Sequence, residues 1–431
     1  MRALITSKLL NLLSKLQIKH SIIILFIVIF SVIIFPVTAE PLSTADHLFN
    51  PALLSTGHRF LFEVGTSLDL SVSNNYMSIQ DIFTEQIIID MDEMYDQLKD
   101  SGLRFANQDI IESHFLLSLF GLSIGAYMTL DGLATLNIPG TLVGLFANGN
   151  EIDTEYTSAI DTYSQIFLET GIYAGYKLFN FQFSTKLGIF APVFYSDSGN
   201  IETSLSTDSE TGITSASAQI NVPVYTAFNF EEISELTPEA LLESIIGMNI
   251  DIGAIYMEGK KAIAGIHVNN IPIKPSYANN MMNMSMSMSE TVSNPLGNFD
   301  NDEEEMLSQE FSELSILNSE VQKEISIPIE IGAFYRMTFL PVIDFIFKGD
   351  LIFTDILRYS FGIDAIVELW ILPSIFMGVE YNQTVWEFFL GLRQDLRIIE
   401  IGLDIGLTAP DILSMLSIDG LSAKLYIAVG I

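Results

Sequence analysis

Cysteine is absent from the 431 residues. That excludes disulfides, a thiolate nucleophile, a zinc ribbon and a lipid-bearing cysteine at a processed N-terminus. Bases are scarce as well: 19 Lys and Arg stand against 53 Asp and Glu, a net charge of −34. A nucleic acid would meet repulsion in place of counterion release, so no nucleic-acid partner is expected. Charge of either sign is thin, 17% of residues against 49% hydrophobic, where soluble domains carry about 25% charged residues. After residue 39 no apolar run reaches the roughly 20 residues of a membrane-spanning helix. Catalytic signatures are missing too. There is no Gly-x-Ser-x-Gly elbow and no His-Glu-x-x-His pair, so the chain reads as a non-enzyme with no catalytic residues and no cofactor.

The N-terminus carries a basic leader, Arg2, Lys8, Lys15 and Lys19, then a wholly apolar run over residues 21–34 and the small residues Val37 and Ala39. This is the layout of a secretory signal peptide over residues 1–39, with cleavage expected before Glu40. Its apolar core of about 15 residues is shorter than an untilted spanning helix requires. The alternative is an uncleaved single-pass helix in the inner membrane. Cleavage would leave 15 bases against 53 acids.

The hydrophobicity of the rest is laid out in period two. Phe62, Val64, Thr66, Leu68, Leu70 and Val72 alternate with Glu63, Gly65, Ser67, Asp69, Ser71 and Ser73. Successive strand side chains point to opposite faces, so such a segment has one apolar and one polar face. The pattern returns at residues 122–131, 181–189, 325–339, 359–369, 399–407 and 424–431. Runs of about 10 to 15 residues exceed the five or six of an ordinary strand. They suit a transmembrane barrel, apolar outward and polar inward, because lipid satisfies no open sheet edge and the sheet must close.

Short joints near residues 120–121, 179–180, 259–260, 340–341, 373 and 394–395 alternate with long connections over residues 74–108, 132–159, 229–247 and 270–324. Short turns at one end and long loops at the other are the topology of a bacterial outer-membrane barrel. The expected fold class is all-β, an antiparallel barrel of 14 to 16 strands over residues 59–431, preceded by a hatch-like segment at residues 40–58. A short helix is expected within residues 231–248, where Thr237 and Pro238 form a cap. The acidic, Met-rich stretch 270–324 reads as a surface loop on the extracellular side.

The triplet Asn50, Pro51 and Ala52 just before the first strand resembles the Asn-Pro-Ala element of long-chain fatty acid transporter (FadL-type) outer-membrane barrels. Further segments resemble a related family of such barrels. These are residues 91–103 with Tyr95, Leu98 and Leu103, residues 136–150 with Pro139 and Leu145, the 249–254 strand, and Asn269 with Asn270. The resemblance covers most of residues 45–431 and concerns architecture more than substrate. It implies a hatch or gate at Asn50, Pro51 and Ala52. Two features depart from it: the 270–324 insertion, and a final Ile431 where barrel-assembly signals usually end in an aromatic.

The inward face collects Glu63, Asp69, Glu169, Asp251, Glu330, Asp344, Asp364, Glu368, Glu380, Glu400 and Asp404, against Lys177, Lys186, Arg336, Lys348 and Lys424. Such a lumen is either stiffened by salt bridges or acidic and cation-preferring. His47, His58, His114 and His267 stand in no metal or catalytic spacing. His114 shares a face with Glu112, which suits either a proton-transfer pair or a hydrogen-bonded lumen histidine. The thioethers of residues 281–288 and the carboxylates of 300–305 suggest soft or hard cations, but their low-complexity context points to a surface loop and no metal site. Two functions follow. One is an outer-membrane channel for small hydrophobic molecules such as fatty acids. The other is a structural or adhesive barrel acting through its acidic loops. Expected partners are membrane lipids, the barrel-assembly machinery, and a small hydrophobic ligand or a cation.

Overall fold

The computed structural model describes residues 50–55, 61–76, 91–148, 153–209, 213–227, 246–259, 261–293, 307–311, 315–353, 357–368, 373–382, 385–396, 398–409 and 419–431. The expected signal peptide and residues 231–245 of the expected helix lie outside them.

After a 3₁₀ turn at Pro51–Ser55 the strands run β1 (Phe62–Asn74), β2 (Leu103–Leu119), β3 (Leu122–Ile138), β4 (Glu155–Leu178), β5 (Phe181–Thr207) and β6 (Ile213–Thr226). They continue through β7 (Gly247–Glu258), β8 (Lys261–Lys274), β9 (Ser276–Ser293), β10 (Leu307–Phe311), β11 (Ser315–Ile325) and β12 (Ile329–Leu340). The last six are β13 (Ile343–Phe353), β14 (Leu357–Val367), β15 (Ser374–Asn382), β16 (Val385–Asp395), β17 (Ile399–Ala409) and β18 (Gly420–Gly430). Among the described residues two α-helices interrupt them, α1 (Met91–Leu98) and α2 (Gly140–Asn148).

The wall is a closed antiparallel ring of 14 strands in the order β1–β5, β7, β8, β12–β18. It meets the lower bound of the expected 14 to 16. Closure is made by β1 against β18, with Glu63 opposite Gly430 and Ser73 opposite Gly420. The end of the chain seals the seam: Leu61 donates its amide to the Ile431 carbonyl at 2.7 Å, and the Ile431 amide returns a bond to Phe62 at 3.0 Å. The β1–β18 ladder and these bonds thereby pair backbone groups within the wall, as hydrocarbon requires.

Alternation is realised on both faces. Val64, Ile124, Ile172, Ile266, Ile363, Ile405 and Leu425 are exposed on the outside, Ile266 by 64%. Glu63, Glu112, Lys186, Asp251 and Arg336 are buried on the inside. Short turns at one end carry left-handed residues, Phe120 and Gly121, Phe179, and Gly259.

Three details differ from the sequence reading. Residues 270–324 are not simply loop, since β9, β10 and β11 occupy most of the described part. The upper part of β5 pairs with β6, β6 with β9, and β9 with β10 and β11. These strands extend the sheet beyond the ring. The run 325–339 is not one strand: β11 ends at Ile325 and β12 starts at Ile329. Pro328, which lacks an amide donor, lies in that break. Ile325 and Ile327 consequently leave the lipid-facing row, Ile325 packing with Phe167, Phe190 and Ala278. Finally, part of the 74–108 connection is the helix α1, which packs through Met94 and Leu98 on Val143 of α2.

Candidate functional site in the barrel lumen

Asn50, Pro51 and Ala52 lie buried inside the barrel. Two interactions shape the turn locally. The Ala52 amide donates to Asn50 Oδ1 at 2.9 Å, and the Leu53 amide to the Asn50 carbonyl at 2.9 Å. Proline supplies a fixed φ at a position that needs no donor. The side-chain amide of Asn50 donates to the Ile266 carbonyl of β8 at 3.2 Å. Gly253 of β7 makes the approach possible, because a Cβ there would collide with Asn50 Oδ1 and Pro51.

Ala52 and Leu53 then enter an apolar layer with Ile255, Met257, Ala262, Phe334, Ile346, Ile366 and Phe376. These residues come from the half of the wall nearer the short turns, so that half of the lumen is filled. At the other end lies a cavity of about 830 Å³. Leu133, Leu136, Tyr163, Tyr195, Ile327 and Ile329 give it apolar and aromatic walls, while Arg104 and Arg358 bring positive charge. The Arg358 guanidinium sits over the Tyr163 ring at 5.6 Å.

The inward charges fall into separate groups around the ring. His114 is held on both ring edges, Nε2 by Glu63 at 3.1 Å and Nδ1 by Glu112 at 3.6 Å. Tyr426 donates to Glu63 at 3.4 Å and Thr129 to Glu112 at 3.3 Å. His114 and Glu112 are thus brought together as their shared face implied, and Glu63 joins them. Glu169 accepts from Tyr127, and Lys186 stands 3.8 Å from Asp251 and 4.7 Å above the Tyr127 ring. Arg336 binds Asp344 through Nε at 2.8 Å and Glu368 at 2.9 Å, with Lys261 at 2.8 Å from Asp344. Lys348 bridges Glu380 at 2.8 Å and Asp364 at 3.3 Å.

A smaller polar cavity of about 270 Å³ is lined by Asp69, Lys348, Glu380, Arg393, Asp404 and Lys424 among others. Arg393, 3.7 Å from Asp404, and Lys261 take part in these pairs although the strand alternation alone did not single them out. Lys261 sits beside the 259–260 turn, where the β7–β8 register shifts, whereas Arg393 lies in phase on the inward row of β16 with Gly391. Lys177 lies on the inward-facing row but is exposed at the turn end. Glu400 faces inward beside Gly402.

His267 gathers Glu330 at 3.1 Å and Asp350 at 3.3 Å, both at Nε2. The three come from β8, β12 and β13.

No family model and no curated protein matches the chain. Among solved structures it is similar to the toluene transporter TodX of Pseudomonas putida, at 9% identity and TM-score 0.46, covering 91% of this chain and 94% of that one. It is similar to the toluene transporter TbuX of Ralstonia pickettii at 8% identity and TM-score 0.44, covering 91% and 94%. It is also similar to a FadL homologue of Pseudomonas aeruginosa at 9% identity and TM-score 0.44, covering 91% and 95%. The FadL-type barrels that the sequence resembles are thus among the solved folds it is similar to.

Proposed function

We propose that this barrel is an outer-membrane channel that takes a small hydrophobic molecule into the outer half of its lumen and passes it beyond the plug at residues 50–53. One observation supports the reading above the others: a mostly apolar cavity of about 830 Å³ lies at one end, and buried Asn50, Ala52 and Leu53 fill the other. A volume within the roughly 300–1,000 Å³ of small-molecule sites suits one ligand of modest size. Arg104 and Arg358 at the wall suit an apolar molecule carrying one anionic or accepting group, of which fatty acids are an example. The toluene transporters and FadL homologue it is similar to are consistent with this class. Binding of a fluorescent fatty acid to the detergent-folded barrel tests the proposal. Ile327→Asp, which puts a charge in the apolar wall, should weaken binding at least about tenfold, or roughly 1.4 kcal/mol. Unchanged binding would remove the cavity from the path.

The sheet extension of β6, β9, β10 and β11 favours a second reading, a surface or adhesive barrel. Absence of both ligand binding and conductance in folded wild-type protein would move the assignment there.

A further inference from the structure

His267, Glu330 and Asp350 form a group that transport of an apolar molecule does not use. The register explains how they meet. Gly332 of β12 pairs with His267 of β8 on one side and with Asp350 of β13 on the other. A Cβ at Gly332 would strike both the His267 ring and the Asp350 carboxylate. The missing side chain is what lets the two close over the middle strand, with Glu330 two residues along β12 completing the group.

We infer that His267 Nε2, a Glu330 oxygen and Asp350 Oδ1 form a lumen site for one divalent first-row transition cation of the Zn²⁺ class. Three observations carry this. The donor atoms lie within 4.8 Å of one another, and the two nitrogen-to-oxygen separations are 3.1 and 3.3 Å. A tetrahedral centre with arms of about 2.0–2.1 Å has ligand-to-ligand edges of about 3.3 Å, so the donors already stand near a coordination polyhedron. Second, both carboxylates converge on the same ring nitrogen. One N–H cannot serve two acceptors well: Glu330 lies at 3.1 Å from Nε2, and Asp350 Oδ1, buried, has only that same nitrogen beside it, at 3.3 Å. The Ser360 hydroxyl holds the other oxygen, Oδ2, at 3.2 Å, which orients the carboxylate as an outer-shell partner does. Third, two carboxylates and one imidazole leave net negative charge that a divalent cation cancels, whereas a protonated histidine cancels half.

His114 is the internal contrast. Its two carboxylates lie on opposite ring nitrogens and cannot share one ion. Glu330 retains 25% side-chain exposure, which gives an ion a way in and leaves a fourth position for water. The site adjoins the plug, since the carbonyl that receives the Asn50 amide belongs to Ile266, the residue before His267. A bound ion would tether β8, β12 and β13 at that level.

The test uses the full processed chain folded in detergent and stripped with chelator. Zn²⁺ titrated into it should bind with one equivalent, and Co²⁺ should give the intense visible bands of a four-coordinate ion. Asp350→Asn and Glu330→Gln should each weaken Zn²⁺ at least about tenfold while heat-modifiability still reports a closed barrel. Folded wild type that takes up no stoichiometric Zn²⁺ would overturn the site, as would affinity unchanged in both variants. If a variant fails to fold, the zinc X-ray absorption spectrum of wild type decides: one imidazole among the ligands supports the site, and none refutes it. These readouts are independent of whether the barrel transports anything.

Discussion

Arg336 is 1% exposed and is among the largest side chains withdrawn from solvent. It survives there because Asp344 and Glu368 both bind it and Lys261 shares Asp344. Removing one partner of such a group leaves uncompensated buried charge. Arg336→Ala should therefore cost about 3–5 kcal/mol, read from urea unfolding in lipid vesicles. A loss below about 1 kcal/mol would mean that water solvates the pair and that it contributes little. Asn50 is a subtler case. Its amide serves the Ile266 carbonyl while its carbonyl oxygen folds the turn. Asn50→Leu would lose both bonds and press a branched carbon toward Gly253. The barrel should stay closed while the plug detaches, which protease accessibility of the N-terminal segment would reveal.

Among the elements, β14 shows the two faces clearly, with Ile363 49% exposed on the outer row and Asp364 inward beside Lys348. Ile363→Arg should destabilise the barrel by about 2–4 kcal/mol in bilayers. A change within about 0.5 kcal/mol, measured the same way, would place that residue away from the lipid core. The seam between β1 and β18 makes a different point. Leu61, Phe62 and Ile431 close it with backbone groups, so isoleucine at 431 forfeits no bond there. Ile431→Phe should leave folded stability within about 0.5 kcal/mol. Deleting residues 426–431, which removes the paired end of β18, should abolish the heat-modifiable form on gels. Elements were legible where alternation was long and uninterrupted, as in β1, β3, β17 and β18. They were illegible at β9, where Met and Ser alternate in a stretch resembling low-complexity loop. Its strand character comes from pairing with β6 and β11 on either side.

For the whole molecule, the consequence is a lumen divided in two: an open apolar cavity toward the long connections and an apolar plug toward the short turns. Deleting residues 40–53 should raise single-channel conductance or hydrophobic-ligand uptake in liposomes, compared side by side with wild type. Equal, closed behaviour of both proteins would show that the segment does not gate the lumen and would favour the surface-barrel reading. The groups of inward charges should survive this deletion, since their ion pairs run between wall strands.

The sequence alone determined the class of solvent on each face, because a period of two with apolar residues on one side is a local property that strand geometry converts directly into outside and inside. It likewise determined that the sheet must close, since lipid leaves no alternative. Strand count was bounded but not settled, because strands such as β6 and β9 obey the same period whether they join the ring or extend it. Only the tertiary structure decided which inward groups meet. His267 stands 63 residues from Glu330, and their approach depends on β8 pairing with β12 after the intervening strands are diverted out of the ring. The partner of Asn50 was hidden for the same reason: a main-chain carbonyl 216 residues away leaves no mark in side-chain pattern. Local alternation encodes the wall, whereas register across distant strands composes what the wall encloses.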